Sequence, residues 1–136
     1  MFEVRVQDDF AAAHFLKDYH GKCENLHGHN YKVYVHVQGT QLDEGGMLLD
    51  FTFLKSALKE VLLKIDHTNL NDIKEFEQNP SAERIALYIY NHLIENLKEK
   101  NIDVSINSPT GTIISKIDVF ETEKNRARYI VERTLP

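Results

Sequence analysis

The spacing of apolar residues along this chain changes from every second residue to about every 3.6 residues and then back to every second residue. Alternation with polar residues, which is typical of half-buried strands, occurs in residues 2–7 and 31–38 and returns in residues 114–121 and 126–133. Two stretches with helical spacing lie between these segments. The order strand, strand, helix, helix, strand, strand predicts an α+β fold, in which an antiparallel four-stranded sheet carries both helices on one face.

Start signals mark both predicted helices. Asp50 is a suitable N-cap for the first helix, whose apolar face is expected to comprise Phe51, Leu54, Leu58, Val61, Leu62 and Ile65. The second helix is expected to begin after residues 79–81, with an apolar stripe of Ile85, Tyr88, Ile89, His92, Leu93 and Leu97. Residues 102–112 fit a short extra strand followed by a turn that contains Pro109 and Gly111.

Size and composition are those of one globular domain spanning residues 1–136. Hydrophobic residues make up 42% of the sequence and charged residues 27%, and the chain is long enough to bury a core. The formal net charge of -5 provides no basic surface for nucleic acid. There is neither an apolar run near the roughly 20 residues of a membrane-spanning helix nor a signal-peptide pattern at the N-terminus. We therefore expect a cytoplasmic protein that binds neither nucleic acid nor membranes.

Histidines are concentrated just before the second alternating segment. His27 and His29 are two residues apart, so in an extended chain they project to one face and can share a cation. Imidazole nitrogens suit zinc, and a catalytic zinc site typically has three protein ligands and an open position. His14 is the best-placed third ligand, because it ends a run of small residues, Ala11 to Ala13. Taken singly, the other histidines in this region and in the helices are expected to be surface or hydrogen-bonded core residues: His20, His36 and His92.

Cys23 is the only cysteine in the chain, so an intramolecular disulfide is excluded. Three roles remain open for it. The first role is that of a small buried apolar group, and the second is that of a thiol whose thiolate is stabilised by a neighbouring dication. The third is that of a fourth ligand that closes a structural zinc site.

Two further acid or base candidates lie outside the histidine cluster. Asp66 directly precedes His67, and a carboxylate beside an imidazole can orient it for proton transfer, although such adjacent pairs also occur by chance. Glu121 has the parity of Ile117 and Val119, so its carboxylate is expected to point inward, where it requires a partner. That partner is either a ligand with two adjacent N–H donors or a basic side chain: Arg126, Arg128 or Arg133.

Six short motifs, in order along nearly the whole chain, together resemble the 6-pyruvoyl-tetrahydropterin synthase family. They are FAAAH at 10–14, CENLHGH at 23–29, GMLLDF at 46–51, LKIDHTNLN at 63–71, NPSAE at 79–83 and VFET at 119–122. The three-residue gap between Cys23 and His27 is similar to the bacterial branch of the family, the 6-carboxy-tetrahydropterin synthases of queuosine biosynthesis.

The resemblance implies a tunnelling fold, in which trimers close their sheets into a barrel and two trimers stack into a hexamer with sites between subunits. It implies Zn²⁺ as the cofactor, held by three ligands: His14, His27 and His29. Cys23 would then be the proton acceptor, with His67, oriented by Asp66, as the second acid or base.

The resemblance also implies where the substrate binds. Glu121 would anchor the 2-amino and N3 edge of a pterin and take part in the catalytic relay, and Ser81 would contact the substrate. Ala82 departs from the family pattern, because a hydroxyl residue that contacts the pterin is common at this position.

The reaction implied is the zinc-dependent conversion of 7,8-dihydroneopterin triphosphate into 6-carboxy-5,6,7,8-tetrahydropterin, with release of acetaldehyde and triphosphate. Two alternatives remain at the level of sequence. One is a 6-pyruvoyl-tetrahydropterin synthase, which eliminates triphosphate and retains the side chain. The other is a non-catalytic zinc-binding or pterin-binding protein.

Overall fold

A computed structural model describes residues 1–17, 21 and 25–132, and in this part of the chain a five-stranded sheet carries two helices on one face. The elements are β1 (Phe2–His14), β2 (His27–Gly39), α1 (Phe51–Leu63), β3 (Thr68–Asn69), α2 (Ala82–Glu99), β4 (Ile113–Phe120) and β5 (Arg126–Ile130). Short 3-10 turns at Leu70–Asp72 and Lys74–Phe76 connect β3 to α2. Neither helix is long and apolar enough to cross a membrane.

The sheet is mixed, which corrects the prediction of four antiparallel strands. Its order is β3, β1, β2, β4, β5, and the added strand β3 pairs parallel with β1. The left-handed backbone of His67 (φ 58°) turns the chain after α1, and its N–H donates to the carbonyl of Ala11 at 2.6 Å. A two-residue strand has no period of its own, so only the contact with β1 reveals it.

Both helices begin where the cap residues predict. The Asp50 carboxylate accepts a hydrogen bond from the N–H of Thr52, and the Ser81 hydroxyl accepts one from the N–H of Arg84. Phe51 was expected on the buried face of α1 but is 50% exposed at the first residue of the helix, whereas Leu54 and Leu58 on the same face are fully buried. Residues 102–112 form turns rather than a strand, and Val104 fills the core beneath them.

A β-bulge explains why β4 buries more residues than simple alternation predicts. The register between β2 and β4 shifts at His36 and Val37, so that Ser115 is the extra residue. Ile114, which the sequence places on the polar face, is therefore turned into the core, where it is fully buried. After the bulge, Ile117 and Val119 face the helices as predicted.

An ionic cluster lies on the face of the sheet that carries no helix, and Asp118 is its centre. The Asp118 carboxylate accepts hydrogen bonds from Arg128 at 2.6 and 3.1 Å and contacts His36 Nε2 at 2.6 Å. The other ring nitrogen of His36 lies 2.8 Å from the carboxylate of Glu3. Burial opposes the ionisation of Asp118, but the hydrogen bonds from Arg128 and His36 outweigh it and lower the pKa of this carboxyl. His36 is thus the hydrogen-bonded core residue that the sequence suggests.

Substitution Asp118→Asn is expected to lower the free energy of unfolding by about 2 kcal/mol at neutral pH, because it removes the buried carboxylate that accepts from the part-buried Arg128. The pKa of Asp118 is lower in the folded protein than in the unfolded chain. The charged carboxylate therefore contributes its full stabilisation of the fold above the unfolded-state pKa. This contribution is lost as the pH falls through the folded-state pKa. Denaturant unfolding at pH 7 and near pH 3 measures this. A difference between wild type and variant that grows in acid would contradict the prediction.

Candidate metal centre

Cross-strand register brings the predicted histidines together at one corner of the sheet. His14 is the last residue of β1 and pairs directly with His27, the first residue of β2. His29 lies opposite Ala12, one pleat further along. Side chains two apart share a face, so all three imidazoles project to the side of the sheet that carries the helices.

Four potential ligand atoms converge at this corner. His14 Nε2 lies 3.0 Å from His27 Nε2, and Glu121 Oε1 lies 3.0 Å from His14 Nε2 and 3.1 Å from His29 Nε2. The four atoms all lie within 4.8 Å of one another. Among the described residues this is the one such group of three or more histidines, cysteines or carboxylates.

Backbone carbonyls fix the orientation of two of the rings. His14 Nδ1 lies 2.8 Å from the carbonyl of Pro80, and His27 Nδ1 lies 2.7 Å from the carbonyl of Asn25. A carbonyl only accepts, so each Nδ1 must carry the proton, and in the neutral ring each Nε2 then presents a lone pair. Two lone pairs 3.0 Å apart repel each other unless a cation lies between them.

His29 supports the same interpretation. Its Nε2 is buried and makes no hydrogen bond, since the approach to Glu121 has the distance but not the direction of one. Burial, with the neighbouring His14 and His27, lowers the pKa of His29, although the Glu121 carboxylate opposes this shift. The neutral imidazole that binds metal is therefore favoured. Three imidazole nitrogens are a donor set that fits a catalytic zinc, which keeps its fourth position open, and the Glu121 carboxylate lies beside them.

Glu121 reaches this group because it immediately follows β4 and keeps the inward parity of Ile117 and Val119. The inward orientation predicted for this carboxylate is confirmed. The alternative, an ion pair with a nearby arginine, does not form among the described residues, since Arg126 and Arg128 contact Asp118 instead and Arg133 lies outside the described part of the chain.

An aromatic pair supports the histidines from beneath, and the sequence gives no signal of this role. Tyr31 stacks on Phe10 with ring centroids 4.7 Å apart, and its edge-to-face contacts reach His14 at 5.9 Å and His29 at 5.5 Å. Burial and the nearby carboxylate of Glu121 raise the pKa of Tyr31, so its hydroxyl stays neutral. Strand alternation predicts Tyr31 as a core residue, but only the register of the strands shows that its ring packs against His14 and His29.

Asp66 and His67 form a separate acid–base pair on the neighbouring loop. Asp66 Oδ2 lies 3.0 Å from His67 Nδ1, while Oδ1 accepts a hydrogen bond from the N–H of Ala11 at 2.9 Å. The Ala11 N–H is the main cause that lowers the pKa of Asp66, and His67 adds to it. The His67 side chain is 80% exposed and lines an open cleft of about 500 Å³ together with His29.

The remaining predicted site residues differ in what the structure shows of them. Cys23 lies outside the described residues, as does His20. The Ser81 hydroxyl caps α2, so part of its hydrogen-bonding capacity is used locally. His92 packs on Tyr88 and lies 2.9 Å from Glu75, which fits the packing role expected for it rather than a ligand role.

Known proteins are similar to this chain in both sequence and fold. A model of the 6-pyruvoyl tetrahydropterin synthase family matches residues 3–132. A putative 6-carboxy-5,6,7,8-tetrahydropterin synthase from Archaeoglobus fulgidus is 39% identical over 105 residues, which cover 76% of this chain and 87% of that protein. The 6-carboxy-5,6,7,8-tetrahydropterin synthase of Bacillus subtilis is 36% identical over 115 residues, which cover 80% of this chain and 73% of that protein. The structure of Caenorhabditis elegans 6-pyruvoyl tetrahydropterin synthase matches with a TM-score of 0.76 at 30% identity, over 96% of each chain.

Sequence and fold thus define a tetrahydropterin synthase of the lyase type, as the six motifs predict. The chain belongs to the 6-pyruvoyl tetrahydropterin synthase family.

Proposed function

We propose that this chain is a zinc-dependent 6-carboxy-5,6,7,8-tetrahydropterin synthase of queuosine and 7-deazapurine biosynthesis. It would convert 7,8-dihydroneopterin triphosphate and one water molecule into 6-carboxy-5,6,7,8-tetrahydropterin and release acetaldehyde and triphosphate. The convergence of three imidazole nitrogens and one carboxylate oxygen at the corner of the sheet is the observation that carries the proposal. The names of the relatives from Archaeoglobus fulgidus and Bacillus subtilis support this choice of product.

His14, His27 and His29 would hold the Zn²⁺ through their Nε2 atoms. When bound, zinc supplies Lewis acidity that polarises the side-chain hydroxyls of the substrate and acidifies the neighbouring C–H bonds. The carbonyls of Pro80 and Asn25 keep the first two rings in the tautomer that zinc requires.

Protons would be moved by Cys23 and by His67. Cys23 lies four residues before His27 in sequence, and a dication held by the histidines would favour the thiolate form of its thiol. The thiolate would then accept a proton from the side chain of the substrate. Asp66, which is itself held by the N–H of Ala11, orients the imidazole of His67 for the second proton transfer.

Glu121 would bind the pterin ring, because a carboxylate can accept two parallel hydrogen bonds from the 2-amino group and N3–H. Its position beside the metal ligands makes it part of the same site. Ser81 is the proposed second contact, since its hydroxyl accepts from the backbone of α2 and retains a proton to donate.

We further propose that the working form is a homo-hexamer, a dimer of trimers, with active sites between subunits. Both sheet edges support it, since β5 is an edge strand and only two residues of β3 cover part of the other edge. Unpaired edges favour pairing with another chain. The exposed imidazole of His67 is likewise accessible to a neighbouring subunit.

Product analysis tests the proposed reaction. The zinc-loaded protein is incubated with 7,8-dihydroneopterin triphosphate, and the products are identified by mass spectrometry, with metal-stripped protein as the control. We expect 6-carboxy-5,6,7,8-tetrahydropterin together with acetaldehyde, and neither product without metal. A 6-pyruvoyl product without acetaldehyde would instead assign the other reaction of the family, and stable binding without turnover would indicate a non-catalytic pterin-binding protein.

A further inference from the structure

We propose that Asn71 is a positioning residue of the metal centre, which acts on His14 through the backbone that surrounds it. The inference rests on the proposed metal-binding role of His14, and Asn71 itself is not one of the four converging ligand residues. Its side chain is almost fully buried, at 4% exposure, on the turn that follows β3.

The side-chain amide of Asn71 bonds to both backbone polar groups of Phe15, the residue after His14. Its Oδ1 accepts from the Phe15 N–H at 2.8 Å, and its Nδ2 donates to the Phe15 carbonyl at 2.9 Å. These two bonds satisfy the backbone groups that a neighbouring strand would otherwise pair with at the end of β1. The Asn71 side chain therefore helps to set the direction in which the chain leaves His14, together with Asn79, whose Oδ1 accepts from the N–H of Lys17 at 2.8 Å.

The same Nδ2 also donates to the carbonyl of Gln78 at 3.1 Å. Gln78 and the preceding Glu77 both have left-handed backbones, with φ of 68° and 50°. This conformation is unfavourable for residues other than glycine and persists where the surroundings hold it in place. Asn71 supplies one of the bonds that hold it.

The turn leads directly to the carbonyl that orients His14. Two residues after Gln78, the carbonyl of Pro80 lies 2.8 Å from His14 Nδ1. Asn71 thus connects the two parts that must stay in register: the backbone next to His14 and the turn that presents Pro80. Without the amide, the turn keeps the bonds of Asn79 to Phe76 and Lys17 but loses the bond at Gln78, so the Pro80 carbonyl is held less firmly against the His14 ring. The Nε2 lone pair is then directed less precisely at the metal.

Binding of Zn²⁺ alone, without pterin, tests the proposal. Substitution Asn71→Ala is expected to raise the Kd for zinc, measured by chelator competition, by roughly 10- to 100-fold, which is the usual effect of losing an outer partner of a metal ligand. The matched control is Leu97→Ala, which removes buried packing near the far end of α2, roughly 24 Å along the helix from Ser81. We expect this control to bind zinc within about twofold of the wild type while losing stability.

Proton NMR of the metal-free protein provides a second readout. The Nδ1–H resonance of His14 should be protected from exchange in the wild type and should broaden or vanish in Asn71→Ala. If Asn71→Ala does not fold, Asn71→Ser serves instead, because its short hydroxyl keeps a polar group in the buried position but cannot bond to Phe15 and Gln78 at the same time. Zinc affinity and a His14 signal unchanged in a folded variant, or an equal loss in Leu97→Ala, would overturn the proposal. Failure of the proposed reaction alone, with zinc binding intact, would leave it standing.

Discussion

Substitution His29→Ala is expected to remove the bound metal and with it all turnover. Its Nε2 is buried without a hydrogen bond beside Glu121, so the ring has no evident function there other than metal binding. Zinc binding free energies of about 10–16 kcal/mol, shared among three histidine ligands, give roughly 3–5 kcal/mol for each. The Kd for zinc should therefore rise by several hundredfold or more, as measured by chelator competition, and purified protein should contain almost no metal.

His92→Ala is the matched control for this prediction. His92 is also a partly buried histidine with a carboxylate neighbour, Glu75, but it lies on α2 and outside the converging group. It should retain one zinc per chain and full activity. If His29→Ala retains metal with unchanged affinity, the assignment of the metal centre is wrong, whereas loss of metal in both variants would point to general destabilisation.

Substitution Cys23→Ala is expected to retain zinc and the fold but to lower kcat by roughly 10²- to 10⁴-fold, the usual contribution of a general base. The prediction depends on the position of Cys23 just before the histidine pair in sequence, since the residue lies outside the described part of the chain. Metal content by atomic emission and rates with 7,8-dihydroneopterin triphosphate, measured on the same preparation, test it.

The two measurements separate the three roles that the sequence leaves open for Cys23. Loss of zinc together with activity would make the thiol a metal ligand in a closed site. Retention of both would make it a buried apolar residue. Cys23→Ser is the conservative companion: its hydroxyl is a far weaker base at neutral pH, so it should retain metal and remain nearly as slow as alanine.

Local patterns were sufficient to predict most of the secondary structure. Asp50 caps α1 as expected, α2 begins directly after the start signals at residues 79–81, and the alternating segments form β1, β2, β4 and β5. The failures have physical causes that act over long range. The bulge at Ser115 turns Ile114 inward, and the two residues of β3 pair only because His67 directs the chain back along β1.

The candidate site also has features that the sequence predicts and features that depend on long-range packing. The sequence by itself determined the chemical groups and their faces, because alternation in a strand decides which side chains share a side: His27 with His29, and Glu121 with Val119. It also gave the family, through motifs distributed over the whole chain.

Only the tertiary structure decided which groups meet. The pairing of His14 with His27, the arrival of Glu121 from β4 and the support from Tyr31 all depend on strand register, which is set by packing between segments far apart in sequence. Asn25, Asn71 and Pro80 all lie within the family motifs, but nothing in the sequence indicates that two of them orient histidines through their carbonyls or that the Asn71 amide bonds to Phe15 and Gln78. Their role follows from where the folded chain places them.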